Sequence, residues 1–166
     1  SSCAGSKNTS ASRSLPYAPC MWKRIAFRQV ELHQDLDPSV QNGSFFQFSV
    51  NGRRFFSRGA NLIPTRVFEP QSNRALNWRL LQAAKAAHFN LVRVWGGGTY
   101  REDSFYDLAD ELGILLWHDA MFNNGIYPYY AAFRELAARE SAYQARRLAH
   151  HPAIALWAGN NEIEAD

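Results

Sequence analysis

The 166-residue chain is poor in cysteine and has no long apolar run. Its two cysteines, Cys3 and Cys20, lie in a segment without apolar periodicity, so a disulfide framework is not expected. The longest apolar runs, such as residues 114–117 and 153–158, are far shorter than the roughly 18 to 20 residues of a membrane-spanning helix. With 46% hydrophobic residues, the chain is expected to be globular, with a sizeable core and no membrane segment.

A concentrated basic segment is also missing, although the formal net charge is +3. The basic residues occur singly or in pairs between acidic residues, as in Arg53 with Arg54 and Arg146 with Arg147. Binding of nucleic acid ordinarily needs a clustered basic face. The sequence therefore predicts a solvated surface and no nucleic-acid partner.

The first part of the chain divides into a predicted tail and a predicted β segment. Residues 1–21 are rich in Ser, Ala and Pro and are expected to form a tail or linker. Residues 23–32 and 45–50 approximate strand alternation, and residues 53–57 continue the second run after Asn51 and Gly52. Asn-Gly accepts the positive φ angles of a two-residue turn, so residues 22–57 are predicted to be β structure with a hairpin.

The remainder, residues 58–166, alternates strands with helices. Strands are predicted at residues 60–64, 90–98, 114–120 and 154–160. One helix is expected to begin at Ser72, one to run from Glu102 to a left-handed stop at Gly113, and one to cover about residues 130–150. Their predicted inward positions are Leu76, Leu80, Ala84 and Ala87 in the first, Phe105, Leu108, Ala109 and Leu112 in the second, and Phe133, Leu136, Ala137, Tyr143 and Leu148 in the third.

Four strands alternating with three helices indicate parallel β-α units. This α/β pattern fits the first half of an eight-stranded barrel and also an open doubly wound sheet. In both architectures ligands bind at the carboxyl ends of the strands, here called the rim. The predicted rim contains amides, carboxylates and indole rings, at residues 61–64, 95–98, 117–119 and 160–162. Indole faces stack on sugar rings and carboxylates and amides bind hydroxyls, so the rim favours a carbohydrate ligand.

Strand alternation separates the second strand into two faces. Arg93 and Trp95 share one face and Val92 and Val94 the other, so the valines are predicted to face the helices. A buried arginine needs a carboxylate partner, which a rim acid could provide.

Each of these features also has a purely structural interpretation. The Gly96 to Gly98 run could be a flexible turn, Asn160 and Asn161 could be helix caps, and the tryptophans could be core residues. His118 and Asp119 with His150 and His151 could suggest a metal site, but the second pair is predicted at a helix end away from the rim. No metal is therefore expected.

Two motifs carry a resemblance to a known family. RVWGGGTYREDSFYDLADELGILLWHDAMF, residues 93–122, and HPAIALWAGNNE, residues 151–162, resemble β-mannosidases of glycoside hydrolase family 2. The resemblance covers nearly all of residues 23–166. It implies that residues 22–57 are the last strands of an immunoglobulin-like β-sandwich domain and that residues 58–166 are the N-terminal half of a TIM (β/α)8 barrel.

The resemblance also implies a function and site residues. The parent protein would be a retaining exo-β-mannosidase that releases terminal non-reducing β-D-mannose from oligosaccharides, without a cofactor. The implied roles are general acid/base for Glu162, sugar binding near the 2-hydroxyl for Asn161, a wall of the mannose site for Trp95, orientation of the nucleophile for Arg93, and a pocket position for Asp119.

The family's nucleophile follows the seventh barrel strand, beyond the four strands of this chain. The chain is therefore expected to be a fragment that is inactive without the remaining barrel half. The family resemblance implies a lysosomal or secreted protein, although no signal peptide is visible.

Two departures from the family pattern are notable. His118 stands where the family usually has glutamine, and residues 61–65, NLIPT, replace NWIPAD. Two alternatives therefore stay open: another family 2 exo-glycosidase, acting on glucuronides or galactosides, or a sugar-binding relative without catalysis.

Overall fold

The computed structural model describes residues 23–65 and 74–163. The predicted tail, residues 1–21, lies outside these ranges, and so does Ser72, the predicted helix cap. Within the described ranges the chain forms a mixed α/β fold with one antiparallel and one parallel sheet. In this part of the chain, no helix combines the length and the apolar character needed to cross a bilayer.

The antiparallel sheet has the strand order β1-β2-β3, with β1 Val30–His33, β2 Gln47–Val50 and β3 Arg53–Phe55. Asn51 and Gly52 connect β2 to β3 with φ angles of 50° and 74°, which confirms the predicted turn.

The predicted first strand begins later than expected, because residues 23–29 pair with no strand. Arg28 instead donates hydrogen bonds from Nε and Nη2 to the carbonyl oxygens of Pro152 and Ile154, at 3.0 and 2.5 Å. This arginine therefore ties the segment before β1 to the start of the last parallel strand.

The parallel sheet contains the four predicted strands, each shorter than expected. They are β4 Gly59–Leu62, β5 Leu91–Val94, β6 Leu115–Asp119 and β7 Ile154–Ala158. Their spatial order follows the chain order, β4-β5-β6-β7, without a reversal. The connecting helices are α1 Arg74–Ala86, α2 Asp103–Leu112 and α3 Ala131–Leu148.

The core lies between the parallel sheet and its helices. Val92 and Val94 point into it, as the alternation predicts, and the entire predicted apolar face of α2 is buried. Gly113 ends α2 with φ 67° and ψ 36°, and its N–H donates to the carbonyl oxygens of Ala109 and Asp110, so the predicted left-handed stop is confirmed. The candidate site lies beside this core, at the carboxyl ends of β5, β6 and β7.

The predicted inward faces of α1 and α3 are partly wrong. On α1, Leu81 and Asn77 are buried, whereas Ala87 lies beyond the helix and is exposed. The buried Asn77 donates from Nδ2 to Glu102 Oε1 at 3.1 Å, so a polar contact turns this face inward.

On α3, Leu136 and Tyr143 are exposed, by 56% and 59%, whereas Leu148 is buried. Near the end of this helix, Arg147 pairs with Asp103 and donates from Nη2 to the carbonyl oxygen of Arg101 at 3.0 Å.

Candidate functional site

Arg93, on β5, is the centre of a polar network at the carboxyl end of the sheet. Its Nε donates to Asp119 Oδ1 at 3.1 Å and its Nη2 to Asp119 Oδ2 at 2.6 Å. Such a two-point contact fixes the plane of the guanidinium as well as its position. Nη2 also donates to Asn161 Oδ1 at 2.8 Å, which joins β5, β6 and the end of β7. The carboxylate partner expected for Arg93 is therefore Asp119.

Asp119 is fully buried, with a side-chain exposure of 0%, and it accepts a third hydrogen bond from the Gly96 N–H at 3.0 Å. Gly96 is required by the space around it. A Cβ on this residue would lie 2.7 and 2.8 Å from the main-chain oxygens of Ala120 and Phe122. The first glycine of the triplet therefore packs closely against the strand that carries Asp119, and it is more than a flexible turn.

The Trp95 indole lies directly over the second glycine of the triplet. A Cβ on Gly97 would lie 1.9 Å from Trp95 Cη2, so only glycine leaves room for the ring in this position. Trp95 is partly exposed and shares the strand face of Arg93, as expected from their spacing.

Asn161 is buried, with 6% exposure, and it belongs to an extension of the β6–β7 pairing beyond the strands. It forms an isolated parallel bridge with Asn123, and its N–H donates to the Phe122 carbonyl oxygen at 2.8 Å. Its side-chain Nδ2 donates to Asn123 Oδ1 at 2.8 Å. Asn161 is therefore not a helix cap: its amide connects Arg93 to the loop that follows β6.

Glu162 follows directly and has an exposed side chain. Its φ angle is 54°, in the left-handed region that residues with a Cβ rarely occupy. Its Oε2 accepts a hydrogen bond from Asn124 Nδ2 at 3.0 Å. The carboxyl group is thus held at one oxygen and open to solvent at the end of β7.

Two predicted rim residues take other roles. His118 is fully buried and faces the helices, where its Nε2 lies 2.8 Å from the Tyr106 hydroxyl and its Nδ1 lies 2.7 Å from the Asp119 carbonyl oxygen. Burial lowers the pKa of His118 to about 4, so the ring is neutral at neutral pH. Trp117 lies beneath the Arg93 guanidinium, whose Cζ is 5.8 Å from the ring centroid.

The second histidine pair does not join His118 and Asp119 at the end of the sheet. His151 Nδ1 lies 2.7 Å from Asp110 Oδ2, on α2. In residues 23–65 and 74–163, no group of three His, Cys, Asp or Glu side chains is placed to hold a metal ion.

Asn123 and Asn124 are not among the functional residues predicted from the sequence. Two consecutive polar side chains shortly after a predicted strand can indicate a functional loop, and Asn123 and Asn124 follow this pattern. In the structure they connect the loop to both Asn161 and Glu162. The candidate site therefore consists of Arg93, Trp95, Asp119, Asn161 and Glu162, the five predicted residues, together with Asn123 and Asn124.

No family model matches the chain. Among individual proteins, it is 43% identical over 149 residues to "Beta-mannosidase A" of Neosartorya fischeri and 44% identical over 149 residues to that of Aspergillus clavatus. Each match covers 86% of this chain and 16% of the relative, so the chain spans about one sixth of the length of these relatives.

Among solved structures, the β-D-mannosidase of Dictyoglomus thermophilum matches with a TM-score of 0.79 and 41% identity, over 84% of this chain and 17% of that one. A β-glucuronidase of Parabacteroides merdae matches with a TM-score of 0.71 and 24% identity, over 86% of this chain and 16% of that one. At 24% identity the second match shows a shared fold alone.

The chain therefore agrees with a β-mannosidase in both sequence and fold, and with two fungal β-mannosidases in sequence. The chain belongs to the β-mannosidases of glycoside hydrolase family 2.

Proposed function

We propose that the protein containing this chain is a retaining exo-β-mannosidase that hydrolyses terminal non-reducing β-D-mannose residues of oligosaccharides. The observation that carries this proposal is the network from Arg93 through Asn161 to the neighbouring Glu162, in a chain that is 43% identical to a β-mannosidase. It places a carboxyl group, an amide and a guanidinium side by side at one end of a parallel sheet.

The proposed architecture is the first half of a (β/α)8 barrel, residues 58–166, preceded by the end of an immunoglobulin-like sandwich domain, residues 22–57. The sequential order of the four parallel strands supports the barrel, because a doubly wound sheet reverses its strand order at a switch point. The antiparallel β1-β2-β3 sheet supports the sandwich. Residues 1–21 are proposed to be a tail or linker.

Glu162 is proposed to be the general acid and base. As an acid, it would donate its proton to the glycosidic oxygen while the bond from that oxygen to the anomeric carbon breaks. As a base, it would then remove a proton from the water that attacks the glycosyl-enzyme intermediate. Its exposed side chain is accessible to a substrate from the end of β7. The rest of the barrel is proposed to enclose it.

The neighbouring residues would bind and orient the sugar. Asn161 is proposed to contact the mannose near its 2-hydroxyl, and the Trp95 ring to form a wall of the sugar site. Arg93 is proposed to orient the nucleophile. Asp119 would hold the Arg93 guanidinium in place through its two-point contact.

A retaining glycosidase also needs a second carboxylate about 5 to 5.5 Å from the first. Asp119 is poorly suited to that role, because it is fully buried and already accepts hydrogen bonds from Arg93 and Gly96. As the family resemblance implies, we propose that the nucleophile lies in the part of the protein beyond these 166 residues. The isolated chain is expected to release no mannose.

A panel of p-nitrophenyl glycosides tests the proposed function on the complete gene product. The expected result is a kcat/KM for the β-mannoside that exceeds those for the β-glucuronide and the β-galactoside by at least about 10-fold, a difference of roughly 1.4 kcal/mol in transition-state binding. A preference for either of the other two glycosides would indicate a different family 2 activity. Binding of mannose without hydrolysis of any glycoside would indicate a sugar-binding relative.

A further inference from the structure

Two asparagine pairs meet at the end of the parallel sheet. Asn123 and Asn124 lie in the loop after β6, and Asn160 and Asn161 follow β7. Main-chain hydrogen bonds hold the two segments in register: the Asn161 N–H donates to the Phe122 carbonyl oxygen at 2.8 Å, and the Asn124 N–H donates to the Asn161 carbonyl oxygen at 3.1 Å. The loop therefore continues the β6–β7 ladder up to the residue before Glu162.

The side-chain contacts define the orientation of the Asn124 amide. Its Oδ1 accepts a hydrogen bond from Asn161 Nδ2 at 3.3 Å, and its Nδ2 donates to Glu162 Oε2 at 3.0 Å. The reverse orientation would place two amide NH2 groups opposite each other and an amide oxygen opposite the carboxyl oxygen. Only the observed orientation satisfies both neighbours.

Glu162 depends on such support more than an ordinary surface glutamate would. Its main chain has a φ of 54°, which its neighbours must maintain, and its side chain is exposed. Among the side chains of residues 23–65 and 74–163, Asn124 is the one that hydrogen-bonds its carboxyl group. A flexible, exposed carboxyl group would otherwise sample several rotamers.

We propose that Asn124 is a positioning residue for Glu162. Its Nδ2–H holds Oε2, so that the other carboxyl oxygen, Oε1, is directed at the glycosidic oxygen of the substrate. Asn124 would act on the reaction through the Glu162 carboxyl group that it hydrogen-bonds, and no contact of Asn124 with the substrate is part of the proposal. The inference rests on the proposed acid/base role of Glu162, which the test therefore measures separately.

The test uses the complete gene product and two substrates that differ in their need for an acid. The glycosidic oxygen of β-1,4-mannobiose requires protonation as it departs, whereas dinitrophenolate departs from 2,4-dinitrophenyl β-mannoside without a proton. Asn124→Ala is expected to lower kcat/KM on mannobiose, which reports the acid-assisted first step, by roughly 10- to 100-fold, as expected for a misplaced acid. The same change should alter kcat/KM on the dinitrophenyl substrate by less than about 3-fold, because that bond breaks without a proton.

Asn124→Asp keeps the shape of the side chain and its acceptor for Asn161 but replaces the donor with a carboxylate. It should show the same selective loss, and it carries the test if Asn124→Ala does not fold. Ile126→Ala, in the same loop, removes a fully exposed side chain and is the matched control, expected within about 2-fold of the unaltered enzyme on both substrates.

The Glu162→Gln variant separates the proposed acid/base role of Glu162 from the proposed positioning role of Asn124. If Asn124 acts through Glu162, the double variant Asn124→Ala with Glu162→Gln should lose no more activity on mannobiose than Glu162→Gln alone. Additive losses in the double variant, or an equal loss on both substrates from Asn124→Ala, would overturn the positioning role and leave the function of Glu162 intact. A Glu162→Gln enzyme without selective loss on mannobiose would overturn both proposals.

Discussion

Replacing His118 with glutamine should remove an acid-sensitive contribution to stability. The His118 ring is fully buried beside Tyr106, whose hydroxyl lies 2.8 Å from Nε2 and also accepts the Arg101 N–H at 3.2 Å. Because Nδ1 lies 2.7 Å from a carbonyl oxygen, the proton of the neutral ring belongs on Nδ1, and Nε2 accepts from Tyr106.

The cause of the low pKa of His118 is mainly burial, which disfavours the charged ring. The positive charges of Arg147 and Arg101 act in the same direction, whereas the Asp119 carbonyl and carboxylate oppose them. The result is a pKa of about 4 in the folded protein against a reference value of 6.5. At 1.36 kcal/mol per unit, this difference corresponds to about 3 kcal/mol of unfolding free energy.

The direction of the pH dependence of stability follows from whether the folded or the unfolded state binds the proton first. As the pH falls from about 6.5 to about 4, the unfolded chain protonates His118 before the folded protein does. The contribution of neutral His118 to the unfolding free energy is therefore complete above pH 6.5, decreases between pH 6.5 and about pH 4, and is absent below about pH 4. Between pH 7 and pH 5 the expected loss is about 2 kcal/mol.

Urea denaturation of the unaltered protein and of His118→Gln, each at pH 7 and pH 5, measures this contribution. Glutamine supplies a donor and an acceptor but does not titrate, so the two proteins should differ in pH dependence by about 2 kcal/mol. Trp157, with a ring centroid 4.9 Å from that of His118, provides a local fluorescence signal. An NMR titration of the His118 ring should give a midpoint near 4. A midpoint near 6.5, or equal pH dependence in the two proteins, would show that burial does not lower the pKa of His118 in the folded protein.

Two further substitutions test the structure around Arg93, both by urea denaturation at pH 7. Gly96→Ala places a Cβ 2.7 and 2.8 Å from two main-chain oxygens and should lower the unfolding free energy by about 1 to 3 kcal/mol. Gly159→Ala is the control: its added Cβ would have no atom within 4 Å, and the unfolding free energy should change by less than about 1 kcal/mol. Asp119→Ala leaves the Arg93 guanidinium and the Gly96 N–H without their carboxylate partner. Because Arg93 is a quarter exposed, the free energy of unfolding is expected to fall by about 2 to 4 kcal/mol. A decrease below about 1 kcal/mol would contradict a stabilising role for these contacts.

The sequence predicted correctly those features that depend on residues close together in the chain. The Asn51-Gly52 turn follows from positive φ angles, and the end of α2 from Gly113. The alternation of Val92, Arg93 and Val94 predicted which side chains face the helices. The same alternation, applied to β6, would have placed His118 on the helix side instead of at the rim.

Features that depend on distant partners were not predicted. Helical periodicity selected Leu136 and Tyr143 incorrectly, because it shows which residues share a face of α3 but not which face meets the rest of the fold. The carboxylate partner of Arg93 could be anticipated only as a rim acid, because the β5–β6 register decides that it is Asp119. The contact of Asn124 with Glu162 joins residues 38 positions apart, and no local pattern indicates it.

The leaving-group dependence of the Glu162→Gln enzyme tests the proposed acid role of Glu162 directly. If Glu162 is the general acid, the ratio of kcat/KM on mannobiose to kcat/KM on 2,4-dinitrophenyl β-mannoside should fall by roughly 100-fold or more, because only the first substrate needs a proton on its departing oxygen. An unchanged ratio, with both substrates losing activity equally, would contradict the acid role of Glu162.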